Sequence, residues 1–232
     1  LEQIADFCAE QGLWLHVDGC IGALLAIAPA GRALVRGIAR ADSIALDPHK
    51  WLHAPFEVGC ALVRDADAHF GSFTLTPEYL KSAPRGIASG AWLHDFGLQT
   101  SRGFRALKVW MALEEHGVAK FGRLIDQDLA HARYLTDRIA ATPDLRLCFP
   151  TAINIVCFRY DPGGLPEPAL KRLNTEIMVR MQEAGIAAVS DTTLRGRHCL
   201  RAAINNHRTT RADLDILIDE VLRQGAALVD LP

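Results

Sequence analysis

Two short apolar segments, each followed at once by ionisable residues, constrain the fold of this chain more than any other feature. The first is Leu15-His16-Val17-Asp18-Gly19-Cys20, and the second leads into Asp47-Pro48-His49-Lys50-Trp51. Open α/β sheets place their catalytic groups in a crevice at the carboxyl ends of their strands. The pattern therefore predicts a sheet in which one strand delivers an aspartate, Asp18, and another delivers a lysine, Lys50.

An aspartate and a lysine presented in this way match the needs of one cofactor, pyridoxal phosphate. Its aldehyde forms a Schiff base with a lysine, and its pyridine nitrogen pairs with an acid. A lysine at the end of a strand is otherwise an ordinary surface residue. An aspartate after a strand is equally suited to cap the N-terminus of a following helix.

The two segments resemble the group II pyridoxal-phosphate-dependent amino acid decarboxylases, the family of the aromatic-L-amino-acid and glutamate decarboxylases. Three further stretches resemble the same family in the same order: Trp92-Leu93-His94-Asp95, Arg102 to Trp110 and Leu200 to Thr210. The resemblance covers essentially all 232 residues. It implies an α/β fold, namely the C-terminal part of the large, mostly parallel domain of a fold-type I transferase and a small α+β domain. It also implies an N-terminally truncated portion of the family's chain.

Local patterns place the predicted elements. Apolar periodicity predicts helices over residues 1–11, 31–41, 104–115, 121–141, 170–184 and 211–225, and apolar runs predict strands over 13–17, 43–46, 59–64, 153–160, 186–190 and 198–204. Residues 65–90 have no clear period and are predicted to form a long functional or mobile loop. We expect residues 1–115 to belong to the cofactor-binding domain and residues 116–232 to the small C-terminal domain.

Composition narrows the functional classes. The formal net charge of −2 gives no indication of nucleic-acid or membrane-surface binding. No apolar run approaches the roughly 20 residues of a membrane-spanning helix. The six cysteines form no CxxC pair, so metal-ligand spacing is absent. We interpret them as small buried hydrophobic residues of a cytoplasmic protein.

The resemblance assigns roles to the residues around Lys50. Lys50 carries the cofactor and acts as nucleophile and proton carrier, for which its pKa must fall below the usual value of about 10.4. Asp18 pairs with the pyridine nitrogen. His16 shares a face with Asp18 if the strand is regular, and either supports the site or is a hydrogen-bonded core histidine.

Three more residues are assigned to the cofactor site. His49 is expected to lie against the cofactor phosphate, and Cys20 to line the site next to Asp18. Asp47 occupies a position that is often Asn in the aromatic enzymes. A contact of Asp47 with the phosphate region is implied, although a carboxylate would repel a phosphate. Gly19 is expected to let the backbone pass close to the ligand.

Two residues outside these segments are assigned to catalysis and substrate binding. Thr76-Pro77-Glu78-Tyr79-Leu80 resembles a mobile loop whose tyrosine enters the partner subunit's site and protonates the substrate carbon. Tyr79 is otherwise a surface tyrosine. Arg201 matches an arginine near the substrate carboxylate, and a guanidinium suits bidentate carboxylate binding. A structural salt bridge is the alternative for Arg201.

These roles imply a homodimeric decarboxylase that converts an L-amino acid to its amine and carbon dioxide. The Tyr79 loop favours an aromatic substrate, although glutamate, tryptophan, tyrosine and diaminobutyrate enzymes share these motifs. We expect little activity from these 232 residues alone, because the resemblance places the remaining phosphate-binding and ring-stacking residues upstream. The alternatives are an aldehyde synthase, a carbon–carbon lyase of the same fold, and a non-catalytic truncated subunit.

Overall fold

A computed structural model of the chain describes residues 1–74 and 81–229. The chain divides into two compact units, Leu1–Phe121 and Gly122–Pro232. Both units combine helices with a β-sheet, which makes the protein an α/β protein as predicted. In the described ranges, no helix is long and apolar enough to cross a membrane.

The first unit is built around a three-stranded sheet. Strand β1 pairs in parallel with β2, and β2 pairs antiparallel with β3. The elements of this unit, in chain order, are α1 (Glu2–Gln11), β1 (His16–Asp18), β2 (Ser43–Leu46), β3 (Cys60–Val63), α2 (Ala66–Phe73) and α3 (Arg105–His116). Short 3-10 helices fill the connections at Gly22–Ile27, Arg32–Val35, Ile38–Arg40 and Leu93–Phe96.

Helix α1 closes as its sequence predicts and packs on the parallel strands. Gly12 ends the helix in the left-handed region, at a φ of 61°, where glycine has no steric penalty. Ala5 of α1 joins a small buried cluster with Leu15 and Ala41, against which Val17 of β1 packs. These contacts hold the start of β1 and leave its carboxyl end at the surface.

Three local predictions in the first unit are wrong. Residues 31–41 form two short 3-10 helices, because Gly37 between them takes a φ of 90°, which no helix accommodates. The strand predicted over 13–17 begins at His16 and includes Asp18. Helix α2 lies within the predicted loop 65–90, where the Asp65 carboxylate caps it by accepting a hydrogen bond from Ala68 N at 2.9 Å.

The second unit is a four-stranded antiparallel sheet with helices. Its strands lie in the order β4-β5-β7-β6. Helix α4 (Val118–Ala141) leads into it, followed by β4 (Leu145–Leu147), β5 (Ile155–Tyr160), α5 (Glu167–Glu183), β6 (Ser190–Leu194), β7 (Arg197–Ala203) and α6 (Arg211–Val229). Strand β4 was not predicted. The strand predicted over 186–190 lies instead at Ser190–Leu194, and the helix before it, α5, ends at Glu183, two residues before Gly185.

Alternation along β5 and β7 creates the main core of the second unit. Phe158 and Leu200, which are paired across these strands, are fully buried and face the helices. They share one hydrophobic cluster with Leu135, Ile139, Ile177 and Ile218. The period of two in the strands and of 3.6 in the helices therefore brings the apolar faces together, as the sequence predicts.

The opposite face of this sheet carries three of the six cysteines. Cys148, Cys157 and Cys199 form a buried cluster, and burial raises the pKa of Cys199 to about 12. Their burial agrees with the interpretation of the cysteines as small hydrophobic residues. Cys20 is only half-buried, which sets it apart from these three.

Candidate active site

The loops that follow β1 and β2 lie side by side at the same edge of the sheet. In the parallel register Asp18 is paired with Ala45, so the two strands end together. Backbone hydrogen bonds join the loops beyond the strands: Gly19 N donates to Ala45 O at 2.9 Å, and Asp47 N donates to Cys20 O at 3.2 Å. The sheet therefore brings together the two ionisable segments that the sequence singled out.

Lys50 forms an ion pair with Asp47 at this edge. Its Nζ lies 2.8 Å from Asp47 Oδ2, and the two side chains are 29% and 26% exposed. A tight turn joins the residues, because Lys50 N donates to Asp47 O at 2.9 Å. The next residue, Trp51, is fully buried and anchors the turn in the unit. Lys50 is thus fixed by its backbone, while its amine remains within reach of solvent.

The electrostatics of Lys50 differ from the expectation that its pKa must fall. Its hydrogen bond to the Asp47 carboxylate raises the pKa, partial burial opposes this, and the Cys20 thiol adds to the increase. The net effect holds Lys50 as an ammonium more firmly than an isolated lysine. This effect was not predicted, because Asp47 was considered only for a contact with the cofactor phosphate region, which its own charge disfavours.

Asp18 is exposed at the end of β1 and does not cap a helix. Its Oδ1 accepts a hydrogen bond from Cys20 N at 3.3 Å, which orders the turn after the strand. The 3-10 helix that follows begins after Ile21 and has no side-chain cap. His16 is also exposed, with Nδ1 2.8 Å from Ser43 Oγ, so the alternative of a core histidine is wrong.

Gly19 is required for a different reason from the one predicted. A Cβ atom at this position would lie 2.5 Å from Ala23 Cβ and 3.0 Å from Ala23 N. Any other residue would therefore collide with the chain that follows β1. Close packing of the loop on this 3-10 helix accounts for the glycine in the structure, and the approach of a ligand to Gly19 stays a prediction.

His49 is held by the segment that leads into β3. Its Nδ1 lies 2.7 Å from Val58 O, and its ring packs edge-on against Phe56 at 5.1 Å between centroids. The backbone N of Val58 also lies 3.2 Å from Nδ1, so Val58 fixes the ring through this nitrogen, and Nε2 is the nitrogen left for a ligand. Sequence reasoning placed His49 in the site but did not identify its support.

Arg105, the first residue of α3, has a partner, Glu57, that sequence reasoning missed. Its Nε and Nη2 donate to Glu57 Oε1 at 2.9 and 2.5 Å, and Lys108 Nζ donates to Glu57 O at 2.6 Å. The hydrogen bond from Arg105 lowers the pKa of Glu57. Glu57 precedes Val58, so α3 holds the segment that supports His49. The Arg102/Arg105 pair at the helix start was the only signal of this contact in the sequence.

The two remaining residues assigned from the sequence are Tyr79 and Arg201. Tyr79 falls in residues 75–80, outside the described residues. Arg201 belongs to β7 of the second unit, where it is paired with Cys157, and its Nη1 lies 3.5 Å from Ser190 Oγ. Among the residues that the structure describes, Arg201 forms no ion pair with a carboxylate, so the salt-bridge alternative finds no support there.

The groups at the sheet edge fit pyridoxal phosphate in their chemistry. A half-exposed primary amine, an exposed carboxylate and a histidine with one free ring nitrogen are presented by two adjacent loops. The amine suits the cofactor aldehyde, and a carboxylate suits a protonated pyridine nitrogen. The same set also contains Asp47, whose carboxylate is directed at Lys50.

Comparison with known proteins gives the same result. Residues 1–161 match the model of the pyridoxal-dependent decarboxylase conserved domain. Over 215 residues the chain is 34% identical to an aromatic-L-amino-acid decarboxylase of Bacillus atrophaeus. The aligned region covers 92% of this chain and 45% of that protein. The chain thus spans about half the length of the curated relatives it matches.

Solved structures agree in fold. The crystal structure of Oryza sativa TDC with PLP and tryptamine matches with a TM-score of 0.87 at 30% identity, over 98% of this chain and 47% of that one. Rhodiola rosea 4-hydroxyphenylacetaldehyde synthase matches with a TM-score of 0.82 at 25% identity, over 99% and 46%. By its family match, its relatives and its fold, this chain belongs to the pyridoxal-dependent decarboxylase family.

Proposed function

We propose that the protein containing this chain decarboxylates an L-amino acid with pyridoxal phosphate, and that an aromatic amino acid is its substrate. The observation that carries the proposal is the juxtaposition of Lys50 and Asp18 at the ends of two parallel strands. The family match and the aromatic-L-amino-acid decarboxylase relative support it.

Lys50, Asp18 and His49 are the residues proposed to hold the cofactor. Lys50 supplies the amine for the aldehyde, Asp18 supplies a negative charge for the pyridine nitrogen, and His49 supplies Nε2 for the phosphate. When bound, the cofactor serves as an electron sink for the carbanion left by carbon dioxide. Cys20 borders the amine of Lys50 and is proposed to line the same site.

Arg201 and Tyr79 are the residues proposed to act on the substrate. Arg201 is proposed, from the resemblance, to bind the substrate carboxylate, for which a guanidinium is well suited. Tyr79 is proposed, from the resemblance alone, to deliver a proton to the substrate Cα in the partner subunit of a homodimer. We also propose a cytoplasmic location, since six cysteines without a disulfide pattern suit a reducing compartment.

The first test is covalent capture of the cofactor. The purified chain is incubated with pyridoxal phosphate, reduced with borohydride and digested, and the pyridoxyl group is located by mass spectrometry. We expect the pyridoxyl group on Lys50 in the wild type and no specific label in Lys50→Ala. Lys171→Ala, which removes an exposed lysine of α5, should be labelled at Lys50 to the same extent as the wild type. Equal labelling of Lys50 and other exposed lysines would contradict the proposal.

Turnover is measured separately, as release of carbon dioxide from L-tryptophan, L-tyrosine, L-histidine and L-glutamate. We expect little turnover from the 232 residues alone, since they span about half the length of their relatives. Rapid turnover by the purified chain would contradict that expectation while supporting the decarboxylase.

The second candidate is an aldehyde synthase, which the Rhodiola rosea structure favours. Oxidative release of the aldehyde would consume dioxygen and water and produce ammonia and hydrogen peroxide along with carbon dioxide, whereas plain decarboxylation yields the amine and carbon dioxide and consumes no dioxygen. Tyr79 favours the amine. Product analysis with an aromatic amino acid separates the two, and a Tyr79→Phe variant that turns from amine to aldehyde would assign the proton donor.

A further inference from the structure

The ion pair between Asp47 and Lys50 lies within a turn whose backbone is fixed by hydrogen bonds. Asp47 is fixed at both backbone ends, because its N donates to Cys20 O at 3.2 Å and its O accepts from Lys50 N at 2.9 Å. The turn therefore sets the carboxylate and the amine on the same side, 2.8 Å apart. Charge-assisted contacts of this length are the stronger hydrogen bonds of proteins.

Gly59 lies near the second oxygen of the Asp47 carboxylate, Oδ1. A Cβ atom at Gly59 would lie 3.6 Å from Asp47 Oδ1, so the glycine places only backbone against that oxygen. One oxygen is thus occupied by Lys50, and the other lies over the backbone at the start of β3. The carboxylate is thus directed into the pair with Lys50.

We propose that Asp47 is a positioning residue that stores Lys50 as an ammonium and thereby sets the pH at which Lys50 becomes a free amine and captures an aldehyde. This inference rests on the proposed function, in which Lys50 receives the cofactor aldehyde. It assigns Asp47 to the amine, whereas the sequence analysis assigned it to the cofactor phosphate.

The titratable groups around Lys50 determine how strongly its ammonium form is stabilised. Asp47 lies in the same turn as Lys50, and Cys20 comes from the loop after β1. Asp18 and His49 are neighbouring ionisable residues of the two loops, and His53 and Glu57 follow before β3. The Cys20 thiol reinforces the effect of the carboxylate on Lys50, and partial burial acts against it. Neutralising Asp47 removes the main stabiliser of the ammonium, so the free amine then forms at lower pH.

A cofactor-independent probe tests this. The purified chain is exposed to trace acetic anhydride across a pH series, and acetylation of Lys50 is measured by mass spectrometry relative to Lys171. In Asp47→Asn we expect the Lys50 profile to move to lower pH, with acetylation at a fixed pH below the midpoint raised about threefold to tenfold, since one pKa unit is a factor of ten. Asp47→Glu retains the charge and should lie nearer to the wild type.

Two controls make the result specific. Glu115→Gln removes one exposed carboxylate from α3 and should leave the Lys50 profile unchanged. In the wild type, raising the salt concentration to about 1 M weakens a partly exposed ion pair. The Lys50 profile should then move in the same direction as in Asp47→Asn, which keeps the test valid if that variant fails to fold.

The outcomes separate this inference from the proposed function. An unchanged Lys50 profile in folded Asp47→Asn, or in the wild type at high salt if the variant does not fold, overturns the inference. If pyridoxal phosphate labels Lys50 under those conditions, the proposed function stands without it. A shifted profile with no pyridoxyl label on Lys50 establishes the ion pair and removes the cofactor role.

Discussion

Arg105 donates hydrogen bonds from Nε and Nη2 to Glu57 Oε1, at 2.9 and 2.5 Å, and so ties the start of α3 to the segment before β3. Val58, the residue after Glu57, contacts the ring of His49. An ion pair between a partly buried arginine and an exposed glutamate therefore supports His49, the residue next to Lys50. This relationship explains why a basic residue opens α3.

The first prediction concerns this contact. Arg105→Ala should weaken cofactor capture at Lys50, because the segment that orients His49 loses its tie to α3. The loss should be smaller than in Lys50→Ala, since the amine itself is intact. The measurement is the concentration of pyridoxal phosphate that gives half-maximal borohydride-trapped label.

Two further variants show whether charge pairing is the cause. Glu57→Gln should reproduce the effect of Arg105→Ala, and the double variant should be no worse than either single variant. Arg123→Ala, which removes an exposed arginine of α4, is the matched control. Additive losses in the double variant would show that the two residues act separately.

The second prediction concerns Gly225 in α6. A Cβ atom there would lie 2.6–2.7 Å from three ring atoms of Tyr160, which β5 fixes in the core. Overpacking of about 1–3 kcal/mol should outweigh the gain of about 1 kcal/mol by which alanine favours a helix over glycine. Gly225→Ala should therefore lower the free energy of unfolding. Urea denaturation followed by circular dichroism measures the change.

Gly71→Ala in α2 is the control for this substitution. Its Cβ atom would meet no heavy atom within 4 Å, so only the gain in helix propensity should remain. Stabilisation by Gly225→Ala equal to that by Gly71→Ala would refute the clash and show that Tyr160 moves aside at little cost.

The third prediction is a loss of stability in mild acid caused by His131. This buried side chain of α4 has its pKa lowered, first by burial and then by Arg211, while Asp213 opposes them. The unfolded chain therefore binds a proton at higher pH than the folded chain. Stability from neutral His131 is complete above about pH 6.5, the ordinary value, and is lost as the pH falls towards the lowered folded value.

Urea denaturation at intervals between pH 8 and pH 5 measures this dependence. His131→Gln should reduce the slope, and the reduction should be smaller than the about 1.4 kcal/mol per pH unit of one whole proton. His198, whose pKa burial also lowers, remains as a second contributor, so some slope should persist. A slope that is identical in the wild type and His131→Gln would exclude His131 as a source.

Local pattern accounts for much of the fold. Helices α1, α3 and α6 and strands β2, β3, β5 and β7 lie close to their predicted positions, because each has a clear apolar period over its own length. The failures have different local causes. Gly37 with its positive φ divides a predicted helix, an Asp65 cap starts an unpredicted one, and β4 is only three residues long.

By itself, the sequence determined the family, the alternation of the core strands and helices, and the placement of Asp18 and Lys50 towards the carboxyl ends of two strands. Residue types and short-range spacing carry that information, because they reflect the chemistry of each side chain and the geometry of each element. Only the tertiary structure decided that Asp47 pairs with Lys50, that His49 is held by Val58, and that Gly19 makes room for Ala23. These outcomes depend on how a parallel register and a tight turn bring separate loops into contact, and local pattern contains no record of such distances.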